Sequence, residues 1–136
     1  MDYLLDVNVL VAWGWTDHAD HQRAAKWLGA MTAKRGVRLF TSAIPELGFV
    51  RVSVQRTAGR LPVAEAAGTL SAMLESLGKS HVFVADDVPS SAPWPAWCLS
   101  ASRTTDAHLI SLAASHGLRL ATLDEHIPGS FLIPDL

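Results

Sequence analysis

The stretch Tyr3-Leu4-Leu5-Asp6-Val7-Asn8-Val9-Leu10 sets the reading of the whole chain. Tyr3-Leu4-Leu5 is a short apolar strand ending at Asp6, and Val7 to Trp13 forms a first short helix. Strands and helices go on alternating downstream. Asp20 is placed to cap a helix whose apolar positions Ala24, Ala25, Trp27, Leu28 and Met31 carry it to about Ala33, with Gly36 as its stop. Val37 to Phe40 reads as a second strand. Thr41 or Ser42 caps the next helix, which tolerates Pro45 in its first turn and runs to about Arg56, burying Leu47, Val50 and Val54. Pro62 suits the first position of a further helix, with Ala66, Leu70, Met73, Leu74 and Leu77 on its apolar face and Gly78 at its end. His81 to Ala85 is a third strand, and Trp97 to Ser102 a short helix. Thr105 to His116 is a helix stopped by Gly117, Leu118 to Thr122 a fourth strand, and Phe131 to Ile133 a last one. Short apolar strands separated by helices predict an α/β layer architecture with a mainly parallel sheet, in one domain over residues 1–136.

Composition bounds what such a domain does. Hydrophobic residues make up 49% and charged residues 18% of the 136, which excludes a disordered or low-complexity chain. The lone cysteine, Cys98, excludes an internal disulfide framework and a cysteine-cluster zinc site, and a reduced, cytoplasmic setting is expected. No apolar run reaches the ~18 residues of a membrane span, and Asp2 and Asp6 interrupt any leader-like core. A net charge of −2 is not the footprint of bulk-charge binding to nucleic acid. That total hides a local effect if several acids share one cation, because the remaining surface is then mildly basic.

Several acids do map to one place. Ligands of open parallel sheets bind beyond the carboxyl ends of the strands. Asp6 follows the first strand there, with Asn8 close behind. Glu46 lies in the first turns of the helix after the second strand, among Ile44, Leu47, Phe49 and Val50. Thr104, Thr105 and Asp106 open the helix before the fourth strand, and Asp124 follows that strand. Singly, each acid reads as a cap or turn residue. Together, four mutually repelling carboxylates call for a hard divalent cation, Mg²⁺ or Mn²⁺. A carboxylate-held metal pair is a known arrangement for in-line attack on a phosphodiester.

The same residues carry a resemblance. Leu4-Leu5-Asp6-Val7-Asn8-Val9-Leu10, the run from Thr41 to Val52, the run from Thr104 to Ala113 with His116-Gly117, and Leu120-Ala121-Thr122-Leu123-Asp124 resemble, in order, the four blocks of PIN-domain nucleases. The short length and His18-x-x-His21-x-x-Ala24 are similar to the VapC-type toxins of toxin–antitoxin pairs. The resemblance implies a three-layer α/β/α sandwich and a Mg²⁺- or Mn²⁺-dependent endoribonuclease. It places the catalytic, metal-holding acids at Asp6, Glu46, Asp106 and Asp124, with Asn8 and Thr105 as helpers. It implies an RNA substrate, a cognate antitoxin protein and a homodimer, with no membrane partner. Two stretches depart from the pattern: Ser90 to Ser100, with Trp94 and Trp97, and Glu125-His126-Ile127-Pro128 after the last acid.

Rival readings are weaker on the residues. A haloacid-dehalogenase-type phosphatase wants a second Asp where Asn8 stands and a later lysine that the chain does not offer. A receiver-type phospho-acceptor wants paired acids where Leu5 precedes Asp6. A catalytically silent PIN-like scaffold would have lost an acid, and all four are present. Asp17, His18, Asp20 and His21 are metal-type side chains, but zinc wants more fixed ligands, and Asp20 reads as a helix cap. Arg51 lies about 140° around its helix from Glu46 at ~100° per residue. It is a candidate phosphate contact, an ion-pair partner or a surface residue. The tryptophans are expected mostly in the core or a dimer interface.

Overall fold

In the computed structural model, which describes residues 1–91 and 93–135, Leu4 and Leu5 show how the layers arise. Successive strand residues point to opposite faces. Leu4, with Phe40 and Leu120 on neighbouring strands, joins Leu109 and Leu112 on one face of the sheet. Leu5, with Leu39 and Ala121, joins Val9, Leu10, Trp27, Leu28, Phe49 and Leu70 on the other. Both faces are therefore covered, which is why these strands are short, apolar and parallel.

The strands are β1 (Tyr3–Leu5), β2 (Leu39–Thr41), β3 (His81–Phe83), β4 (Arg119–Thr122) and β5 (Phe131–Leu132). They lie in the order β3-β2-β1-β4-β5, every pair parallel, with Leu4 opposite Phe40 on one side and Leu120 on the other. Helices α1 (Val7–Gly14), α2 (His21–Thr32), α3 (Ala43–Arg56) and α4 (Val63–Ser76) supply the Leu5 face, and α5 (Thr104–Ser115) the Leu4 face. The result is a three-layer α/β/α sandwich. Among the described residues no helix is long and apolar enough to cross a membrane.

Several expectations shift. Helix α3 buries Pro45, Gly48, Phe49 and Ser53; Leu47 is 62% exposed, and Val50 and Val54 are only half-buried. The cause is close approach to α1: a Cβ on Gly48 would stand 2.7 Å from a Val7 methyl, so the Gly48 side of the helix turns inward. Strand β2 begins at Leu39 rather than Val37, because the Arg38 amide is used by the Asp2 carboxylate. Pro62 takes the cap position before α4 instead of its first turn. The short helix expected over Trp97 to Ser102 is a single 3-10 turn at Ala101–Arg103. Asp20 stands at the cap of α2 without capping it through its side chain, and approaches Arg23 at 3.9 Å. Ser42 holds the cap position of α3, yet its buried hydroxyl has no hydrogen-bond partner among the described residues. Ala92, inside the unassigned Ser90 to Ser100 stretch, and Leu136, the end of the expected domain, lie outside the described residues.

Candidate active site

The carboxyl end of β1 turns into α1 through Asp6, whose Oδ1 accepts from the Val7 amide at 2.7 Å and so caps the helix. Its other oxygen accepts from the Thr122 hydroxyl at 2.7 Å. Thr122 ends the adjacent strand β4, and its hydroxyl is fully used. It donates to Asp6 and accepts from Asn8 Nδ2 at 3.0 Å and from the Asp124 amide at 3.1 Å. Asn8 Oδ1 in turn accepts from the Leu123 amide at 3.1 Å. One hydroxyl thus ties together the two strand ends that carry Asp6 and Asp124. Sequence reading placed Thr122 in a block without giving it a task; its position two residues before Asp124 was the available signal.

Asp6 is 5% exposed. Burial pushes its carboxyl up to about 6, the Asp106 and Asp124 charges add to that, and the hydrogen bonds from Thr122 and Val7 oppose it. Asp106, in the first turn of α5, is also raised, by burial and then by Asp124, against the pull of Arg103. Arg103 Nε stands 3.8 Å from Asp106 Oδ2, and Nη2 donates to the His126 carbonyl at 2.6 Å. The guanidinium also lies over the Trp97 ring, 4.9 Å from its centroid, so the unassigned stretch meets the site through Trp97. Asp124 Oδ1 accepts from the His126 amide at 2.8 Å.

Asp6, Asn8, Thr105, Asp106 and Arg51 line one open cleft of about 390 Å³, together with His18. Arg51 is thereby placed beside the acids. His21 is turned away, its Nδ1 2.9 Å from the Ala12 carbonyl oxygen, and His18 Nδ1 accepts from the Asp20 amide. Glu46 lines a neighbouring groove with Leu47, Val50 and Leu74. Its Oε2 accepts from the Thr41 hydroxyl at 2.6 Å. The structure therefore brings Asp6, Asp106 and Asp124 into one electrostatic neighbourhood and sets Glu46 at the next strand end.

Among the described residues no three His, Cys, Asp or Glu side chains stand close enough to enclose a metal ion. The donors are nevertheless the right kind for a hard cation. Mg²⁺ is typically held by one or two carboxylates, with water and phosphate completing its shell. A carboxylate raised by burial, and further by two neighbouring acids, is what a cation would relieve. The acids fit Mg²⁺ or Mn²⁺ in that partly hydrated manner.

Comparison with known proteins adds a family. The PIN domain matches residues 3–128, a span that contains Asp6, Glu46, Asp106 and Asp124. Ribonuclease VapC39 of Mycobacterium tuberculosis (strain ATCC 25618 / H37Rv) is 38% identical over 135 residues, covering 96% of this chain and 94% of its own. Ribonuclease VapC38 of the same strain is 38% identical over 123 residues, covering 89% and 84%. Ribonuclease VapC44 is 36% identical over 131 residues, covering 93% and 89%.

Proposed function

We propose, since this chain belongs to the PIN-domain family and within it to the VapC-type proteins, that it is a metal-dependent endoribonuclease and the toxin of a toxin–antitoxin pair. The observation that carries the reading is Asp6. A carboxylate this buried, hydrogen-bonded on both oxygens and set against two more acids, is costly to keep ionised without a cation. In this reading Asp6, Asp106 and Asp124, with Glu46 at the next strand end, hold Mg²⁺ or Mn²⁺ directly or through water. When bound, such a cation supplies charge neutralisation and activates water for in-line attack on phosphorus.

The chain's own residues do the rest. Thr122 holds the Asp6 carboxylate beside the Asp124 backbone amide, and Asn8 braces the Thr122 hydroxyl and the Leu123 amide, so the acids need little reorganisation on binding. Thr105 lies in the first turn of α5 beside Asp106, where the helix N-terminus favours negative charge. Arg51 lies on the wall of the cleft and contacts the RNA backbone. The whole chain, residues 1–136, acts as one cytoplasmic nuclease domain in a homodimer. A cognate antitoxin protein silences it by pairing Arg or Lys with the acids.

The test is cleavage of total bacterial RNA with Mn²⁺, with mapping of new 5′ ends, for wild type beside Asp6→Asn. Discrete new ends with wild type alone are expected. The same ends from both proteins would overturn the reading.

A further inference from the structure

At the β2–β3 edge a hydrogen-bonded line runs behind Glu46. Thr41, fully buried at the end of β2, donates to Glu46 Oε2 at 2.6 Å, and the same hydroxyl oxygen lies 2.7 Å from His81 Nε2 at the start of β3. A threonine hydroxyl has one proton to give. That proton goes to the carboxylate, so Nε2 must carry its own and donate it to Thr41. Burial holds the His81 imidazole below its ordinary range, against the opposing pull of Glu46, so the ring is neutral near pH 7. A neutral ring has one N–H, and this geometry assigns it to Nε2.

We propose that His81 is a positioning residue for Glu46, acting through the Thr41 hydroxyl. The proposal rests on the nuclease reading above, in which Glu46 is one of the working acids. A hydroxyl without a second partner is free to rotate its proton away from the carboxylate. A donor at Nε2 occupies a lone pair of Oγ1 and leaves the proton facing Glu46. Oε2 is then fixed, and Oε1, which accepts no hydrogen bond among the described residues, is the oxygen left for a cation or substrate. The register supports the line: His81 pairs with Leu39, two residues before Thr41, so the ring reaches diagonally along the sheet. The sequence offered only a histidine opening a strand, with nothing to tie it to a helix over thirty residues earlier.

The test combines structure and rate. Nitrogen-15 NMR of the wild-type imidazoles should show His81 as the Nε2–H tautomer; the Nδ1–H tautomer would overturn the proposal. Cleavage is then measured on an oligoribonucleotide spanning a site mapped with total RNA. Thr41→Val and His81→Phe should each lower kcat about 10-fold, the low end of what outer residues of a metal site cost, with KM little changed. The double variant should be no slower than Thr41→Val, because the two side chains act as one unit. His81→Gln, which places an amide N–H near Nε2, should restore most of kcat even if His81→Phe folds poorly. Wild-type kcat in a folded His81→Phe, full additivity in the double variant, or no rescue by His81→Gln would each overturn the proposal. Absent cleavage by wild type, or full cleavage by Asp6→Asn, would instead overturn the nuclease reading and leave the tautomer to decide the hydrogen-bond line.

Discussion

Two corners of the same sheet edge hold their acids in opposite ways. At the β1–β4 corner Asp6 is buried, hydrogen-bonded on both oxygens, and still raised to about 6, because burial and two neighbouring acids outweigh those bonds. At the β2–β3 corner Glu46 is half-buried, with one oxygen held by Thr41 and neutral side chains behind it. The first corner buries a charge, beside two further acids, that a cation would compensate. The second stores orientation. A site built this way draws its electrostatic drive from one strand pair and its geometric control from another, and the two can be damaged separately.

The largest effect should come from the β1–β4 corner. Asp6→Asn should lower RNA cleavage by more than about 100-fold, since even outer residues of metal sites cost 10–100-fold. Measuring rates beside Asp124→Asn sharpens the comparison, because Thr122 holds the Asp6 carboxylate and the Asp124 backbone amide at one corner, and cleavage should be lost in both variants. A folded Asp6→Asn protein with near wild-type rates would erase the distinction between the corners.

The same substitution should change the pH dependence of stability in the metal-free protein. Asp6 goes from an unfolded value of 3.8 to about 6 when folded. The native state therefore binds more protons than the unfolded state between those values, and stability falls as pH rises through that window. A shift of that size corresponds to roughly 3 kcal/mol lost by pH 7. Denaturant titrations from pH 3.5 to 7 should show that loss in wild type and a flatter profile in Asp6→Asn. Parallel profiles would mean that Asp6 is not raised by its setting. His81 acts with the opposite sign, since a depressed imidazole makes stability rise toward pH 6.5, but it is common to both proteins and cancels in the difference.

Much of this was legible in the sequence, and the missing part has a physical reason. The alternation of β1 and α1, the parallel sheet and the placement of acids at strand ends follow from local apolar runs and from where a parallel sheet presents its loops. What stayed hidden depends on contacts between distant segments. The face of α3 was misjudged because Leu47 and Val50 look like core positions until Gly48 is seen against Val7. Thr122 looked like an ordinary β-branched strand residue, and its use of every hydrogen-bonding capacity shows only when β1 and β4 are side by side. His81 was hidden in the same way.

Thr122→Val tests whether the β1–β4 corner depends on its hydroxyl as the β2–β3 corner is proposed to depend on Thr41. The substitution keeps the branched shape and removes one donor and two acceptor roles. Cleavage should fall 10–100-fold, the range for residues that orient metal-holding groups. Mn²⁺ should also raise the melting temperature less than in wild type, because a ligand stabilises only in proportion to its occupancy of the native state. Equal Mn²⁺ stabilisation in both proteins would assign Thr122 to the fold alone.

The smallest effect is expected where the two corners meet. Helix α3 carries Glu46 near its start and Arg51 a turn and a half later, so the helix reaches from the β2 end to the wall of the Asp6–Asp106 cleft. An exposed arginine there meets substrate as a charge near a phosphate, in water and in salt. Arg51→Ala should therefore leave kcat near wild type and weaken RNA binding only a few-fold at moderate salt. Its distinctive mark is the salt dependence: losing one phosphate contact on a single strand should reduce the slope of log affinity against log salt by about 0.7. Fluorescence anisotropy with a labelled oligoribonucleotide and the inactive Asp6→Asn background, across a salt series, reads that slope without cleavage. An unchanged slope would remove Arg51 from the RNA path and leave the two corners joined by the α3 backbone alone.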